Sequence, residues 1–187
     1  LTMRNAVPLM SFLLMASCAM ASPTDGKSIP DDYSDAIDRA AAPPNADVRY
    51  ELERCVRHWS VLNVKRATLG VSKTNRSLLI EIGNSGFPRY DYVRIDGPLM
   101  SSSLGPTVDI SKVPLGAEVA QLYSVDVADL RVSADDKVDD GDCYFLTING
   151  EGGRQTAAIY GKPSSTVLRQ LMDRILNTAR PPKAEKK

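Results

Sequence analysis

The sequence predicts an α+β domain: a mainly antiparallel sheet of about six to seven strands, with a C-terminal α-helix packed on one face. Three observations lead there. Short β-prone segments follow one another at close spacing, parted by Gly, Pro and Asn turns. Asn-Gly between "CYFLTI" and "QTAAIYG" marks a hairpin, the connection of antiparallel strands. One strongly amphipathic helix stands at the end of the chain. A β-sandwich with an appended helix is the alternative arrangement of the same elements.

The N-terminal segment from Met3 has a basic residue, Arg4, then an apolar run from Ala6 to Ala16, then small residues. That order of charge, grease and small side chains is the pattern of a secretory signal, and residues 1–21 are assigned to one. The run is shorter than the ~20 apolar residues of a membrane span. Two cleavage sites compete. Ala19-Met20-Ala21 fits an A-x-A site ahead of Ser22. Met15-Ala16-Ser17-Cys18 resembles the lipobox of bacterial lipoproteins, which implies cleavage before Cys18 and a lipid anchor on that cysteine. Several acyl chains hold a membrane where one does not, at ~0.8 kcal/mol per buried methylene.

Residues 22–45 read as a Pro-, Ala- and Asp-rich linker containing Pro23, Pro30, Pro43 and Pro44. A short helix over 31–42 fits within it, ended by the double proline. A single globular domain is expected over 46–179, followed by a basic, flexible tail at 180–187. Val48 to Trp59 fits two periods. "VRYEL" alternates as a strand does, whereas Val48, Leu52, Cys55, Val56 and Trp59 recur at helical spacing after Asn45. The β-rich stretch that follows tips the reading toward strand.

"SVLNVKRATLGVS" and "SLLIEIG" read as two strands joined at "KTNR", and "YDYVRI" as the next after "NSGFPR". "GPLMSSSLGP" reads as a loop bracketed by Gly and Pro. "VAQLYSVDV" and "ADLRV" read as further strands, and "SADDKVDDGD" as an acidic turn. "CYFLTI", "NGEGGR" and "QTAAIYG" form the clearest hairpin, because Asn-Gly is a strong turn dipeptide. Beyond Pro163, Ser164 or Ser165 can cap a helix in which Leu168, Leu171, Met172, Ile175 and Leu176 share one face.

Composition narrows the function. Formal net charge is +0 and aromatic residues make up 6% of the chain, so neither an electrostatic footprint nor a stacking platform for nucleic acid is present. Both cleavage readings remove Cys18 from thiol chemistry, which leaves Cys55 and Cys143. An even pair in an exported chain reads as a disulfide. The acidic turn fails as an EF-hand loop, with Val138 and Thr147 where ligands belong. No nucleophile-elbow, zinc-protease or Walker-type motif occurs, and the chain has one histidine, His58. No catalytic residue, metal site or cofactor is assigned. Glu81 and Asp91 are the carboxylates that a hairpin would bring face to face.

Two segments carry residue types favoured at interfaces. "NSGFPRYDY" clusters Phe87, Arg89, Tyr90 and Tyr92. "PLMSSSLGP" offers Met100, Ser101, Ser102, Ser103 and Leu104 as a projecting loop. The expectation is an exported, periplasmic, lipid-tethered and non-enzymatic module that binds another envelope protein. An inhibitor of a peptidase or lysozyme-type enzyme is the alternative, and a carboxylate-dependent hydrolase the third reading.

Overall fold

The segment Ser77–Asn84, "SLLIEIGN", forms β1, and all of its residues are buried. Continuous burial means that both faces of the sheet are covered here, not one. The structure is a computed structural model describing residues 29–42, 45–63, 65–67, 76–124, 141–163 and 165–180. Around β1 lie β2 (Asp91–Asp96), β3 (Leu99–Ser102), β4 (Val108–Asp109), β5 (Asp142–Gly150) and β6 (Gly153–Tyr160). They make one six-stranded antiparallel sheet in the order β4-β3-β2-β1-β5-β6. With its helices this is the α+β fold expected.

Strand alternation sorts the side chains of the central strands between two cores. Leu78, Ile80 and Ile82 of β1, Val93 and Ile95 of β2, and Leu146 and Ile148 of β5 enter one core. Its cover is α4 (Thr166–Ala179), through Leu168, Leu171, Met172, Ile175 and Leu176. Ser165 caps α4, its side chain accepting from the Leu168 amide at 3.3 Å. This is the C-terminal helix on one face that the apolar spacing foretells.

The opposite face is covered by two further helices, α1 (Asp31–Ala40) and α2 (Ala46–Leu62). Here Tyr33, Ala36 and Ile37 meet Leu52, Cys55, Val56, Trp59, Cys143, Phe145, Ala158 and Tyr160. Residues 31–42, read as part of a spacer, are thus packed structure. In α1 the aspartates Asp31 and Asp32 occupy the first turn and Arg39 the last, which suits the helix dipole, while Tyr33, Ala36 and Ile37 face inward. Arg39 Nη2 donates to the Thr156 carbonyl at 2.8 Å, so α1 also occupies part of the free edge of β6.

The strand reading of 48–59 is corrected to helix. Asn45 accepts from the Val48 amide at 3.2 Å, and Leu52, Cys55, Val56 and Trp59 form one buried stripe. The disulfide and the helix coexist: Cys55 on that stripe bonds to Cys143 of β5, with α-carbons 6.5 Å apart. The bond spans a sequence separation of 88 and ties the first large helix to the last hairpin. The chain-entropy account gives such a loop at most ~4.7 kcal/mol.

Two more expectations change. "VAQLYSVDV" does not begin as a strand. Its first residues belong to α3 (Leu115–Leu122), where Leu115, Val119 and Leu122 are buried at helical spacing after Pro114. The segment 97–106 is not a projecting loop. Asp96 pairs with Leu99 across Gly97-Pro98, and Gly97 has φ +57°, the sign that a primed hairpin turn needs. Ser60 to Leu62 close α2 rather than opening a strand. Most of the remaining strand expected over 60–72, with "ADLRV", most of the acidic turn, residues 1–28 and the tail 181–187, lies outside the described residues. In the last hairpin Gly150 pairs with Gly153, so the turn is Glu151-Gly152 and Asn149 stays in β5.

Met100 is 1% exposed and sits opposite Ile95 in the core. Met100→Ala is therefore expected to cost ~2–5 kcal/mol, where an exposed loop residue would cost almost nothing. Urea unfolding measures the difference directly, and a change within ~0.5 kcal/mol would contradict the core placement.

Candidate functional site

Glu81 lies at the middle of β1 and is 0% exposed. A carboxylate in that position must be neutralised or given several donors. It receives five hydrogen bonds from three side chains. Arg66 Nε and Nη2 each donate to Oε1 at 3.0 Å, and Nη2 also reaches Oε2 at 2.9 Å. The Tyr90 hydroxyl donates to Oε1 at 2.9 Å, and the Tyr33 hydroxyl donates to Oε2. The Tyr90 oxygen in turn accepts from the Ala67 amide at 2.7 Å.

Aromatic rings wall the same space. The Arg66 guanidinium carbon lies 4.1 Å from the Tyr33 ring centroid and 5.5 Å from that of Trp59. Trp59 stands edge-on to Phe145 and to Tyr90, at 5.3 and 5.2 Å between ring centroids. It can lie this close to β1 because Gly83 has no side chain: a Cβ there would be 2.7 Å from Trp59 Nε1. Burial pushes the Glu81 carboxyl above its ordinary range, while Arg66 and the Tyr90 hydroxyl pull it back. Burial, first, and the Glu81 charge push the Tyr90 hydroxyl up.

The two carboxylates expected to meet do not. Glu81 pairs with Tyr92, and Asp91 pairs with Ile82, so alternation directs them to opposite faces. Asp91 instead accepts from Arg89 Nε at 2.8 Å and from the Ser103 hydroxyl at 3.1 Å. His58 Nδ1 donates to the Asn84 carbonyl at 3.0 Å, which fixes the ring as a structural bridge between α2 and β1. A pocket of about 180 Å³ opens between α4 and residues 161–163, lined by Tyr144, Lys162, Arg169, Met172 and Asp173 among others. Asp173 is the one carboxylate in its lining, and Arg169 is engaged by the Pro163 carbonyl at 3.1 Å. The paired acids of a glycosidase-type site are not assembled there.

Of the apolar and aromatic interface candidates, Phe87 is the one set out in solvent, 55% exposed. Its loop is held at both ends. Asn84 Oδ1 accepts from the Gly86 and Phe87 amides at 2.9 and 3.3 Å, and Trp59 Nε1 donates to the Arg89 carbonyl at 2.9 Å. Arg89 bridges Asp91 and Asp142. Tyr90 turns inward to Glu81, with Tyr92 beside it at 6.4 Å between rings. Ser101 lies in β3 opposite Arg94. Ser102 accepts from the Leu104 and Gly105 amides and donates to the Ala179 carbonyl. Ser103 accepts from the Tyr92 amide at 2.9 Å, and Leu104 packs on the core. These four, with Met100, hold β3 to α4 and β2. Cys18 lies outside the described residues.

Sequence reasoning missed the partners of Glu81. The available signal was one acid inside the apolar run "LLIEI", which a strand buried on both faces cannot leave to solvent. Comparisons of the chain with protein-family models, with curated proteins and with solved structures found no match.

Arg66→Ala removes the cation from a buried carboxylate, a change expected to cost ~3 kcal/mol at neutral pH. The Glu81 pKa then rises further, because the one cation that lowers it is gone. An acid whose folded pKa exceeds its unfolded one contributes stability below the unfolded value and loses it as pH rises through the folded value. The deficit of Arg66→Ala against the parent is therefore expected to be largest near pH 8 and to shrink toward about pH 4. Urea unfolding of both proteins across that range tests this, and a deficit independent of pH would count against it.

Proposed function

We propose that this chain is an exported envelope protein whose domain is a non-enzymatic binding module, docking on another protein through Phe87. The observation that carries the reading is a large apolar side chain, 55% exposed, on a loop fixed by backbone and side-chain hydrogen bonds at both ends. A rigid aromatic anchor loses little entropy on binding and suits an apolar pocket on its partner. Leu62, 39% exposed, lies one helical turn beyond His58, whose ring meets Asn84 at the base of the same loop.

The Cys55–Cys143 bond supports export, since such bonds form and persist in oxidising compartments. No helix among the described residues is long and apolar enough to cross a membrane. In this reading a lipid on Cys18 supplies the tether, and the partner is another envelope protein. A rigid projecting loop at 97–106 would favour the inhibitor alternative. Met100 and Leu104 of that segment are in the core or against it, so this feature does not favour that alternative.

Phe87→Ala is expected to weaken partner binding at least about 30-fold, the effect of a ~2 kcal/mol hot spot, with folding stability changed by less than ~0.5 kcal/mol. Photo-crosslinking from position 87 in intact envelopes, with position 167 on the exposed face of α4 as control, provides the readout. Equal yields at the two positions would refute the docking role. Mass measurement of the mature protein separately tests the anchor: an acylated N-terminus at Cys18 is expected, and one at Ser22 would remove the tether.

A further inference from the structure

The walls of the Glu81 cage and its occupant come from different parts of the chain. Tyr33 belongs to α1, Trp59 to α2, Glu81 to β1, and Tyr90 leads directly into β2. These elements are packed on one another through the core they share. The guanidinium is brought in by residues 65–67, which form neither helix nor strand. Glu81 is fully enclosed, yet the Arg66 side chain remains 30% exposed, so the cage opens to solvent on the side from which Arg66 enters.

We propose that this cage is an arginine-binding site, filled in cis by Arg66, and that an arginine side chain of another chain is the ligand class it would accept in place of Arg66. The chemistry is selective. The carboxylate takes a planar donor fork, with Nε and Nη2 both at 3.0 Å from one oxygen and Nη2 at 2.9 Å from the other. Tyr33 lies against the guanidinium at 4.1 Å, where a delocalised cation is favoured by the ring quadrupole. The Tyr33 and Tyr90 hydroxyls hold the carboxylate in place whichever guanidinium is bound. A compact ammonium cannot supply the same fork. The inference does not depend on docking through Phe87.

The experiment uses the full chain with Arg66→Ala, probed with ethylguanidinium far below denaturing concentrations. Saturable binding is expected, with a rise of roughly 5–10 °C in Tm at a hundredfold excess over Kd. Ethylammonium should give a much smaller rise. The parent protein should bind ethylguanidinium far more weakly, because Arg66 competes at an effective concentration on the order of millimolar. Adding Glu81→Gln to Arg66→Ala should abolish the effect while leaving the domain folded. If Arg66→Ala does not fold alone, recovery of the fold on refolding with ethylguanidinium supports the site. Failure to refold with it, a folded variant with no saturable response, or equal responses to ethylguanidinium and ethylammonium would each overturn the proposal.

Discussion

A charged side chain at the centre of a strand buried on both faces is the constraint around which the α1–α2 half of the molecule is arranged. Glu81 has β2 and β5 on either side and helices above, so its oxygens have no route to bulk water. Leaving such a group unpaired is costly enough that the chain must supply donors or keep the proton. It supplies donors from three separate stretches: α1 through Tyr33, residues 65–67 through Arg66, and the approach to β2 through Tyr90. Each of these is tied to the carboxylate by at least one hydrogen bond. The buried acid thereby fixes where they sit relative to the sheet. As with other buried ion pairs, the gain is better placed in specificity than in net stability, because desolvation offsets most of the attraction.

The disulfide acts on the same layer by a different route. Cys55 and Cys143 join α2 to β5 on the face that holds Trp59 and Phe145, so the layer containing the cage is closed by a covalent bond as well as by packing. The opposite layer, beneath α3 and α4, holds no disulfide and no buried carboxylate among the described residues, and its interior is largely aliphatic. The difference follows from composition. Leu, Ile and Val from the strands meet Leu, Ile and Met from α4, and an entirely apolar interface of this kind needs no directional partner.

What the sequence disclosed follows the same division. Helix α4 was legible because its apolar residues recur at one period and Ser165 stands at its start. The β5–β6 hairpin was legible from alternation and turn residues, although the turn falls at Glu151-Gly152, two residues beyond the Asn-Gly pair. Helix α2 was not, because "VRYEL" satisfies both periods and only the cap at Asn45 separates them. The β2–β3 hairpin was hidden by the proline and serines of 97–106, although Asp96-Gly97 is itself a strong turn signal. Helix α1 was legible as a short helix over 31–42, but not as part of the core, because its aspartates dominate the composition. Its three buried residues, Tyr33, Ala36 and Ile37, are few but lie on one face. The partners of Glu81 could not be read at all, since Tyr33, Arg66 and Tyr90 are neighbours only after two layers have assembled.

Tyr90 joins the concealed site to the exposed one. Its hydroxyl links the Glu81 carboxylate to the Ala67 amide, and three residues earlier in the chain Phe87 stands in solvent. Between them the Arg89 carbonyl is held by Trp59, whose ring also faces Arg66. The backbone from 87 to 90 is therefore anchored to the same tryptophan and carboxylate that hold the guanidinium. Removing Arg66 would act on Tyr90 and Trp59 first, since both line the space that its guanidinium fills. The outward-facing aromatic ring and the enclosed carboxylate thus share two supporting residues, Trp59 and Tyr90.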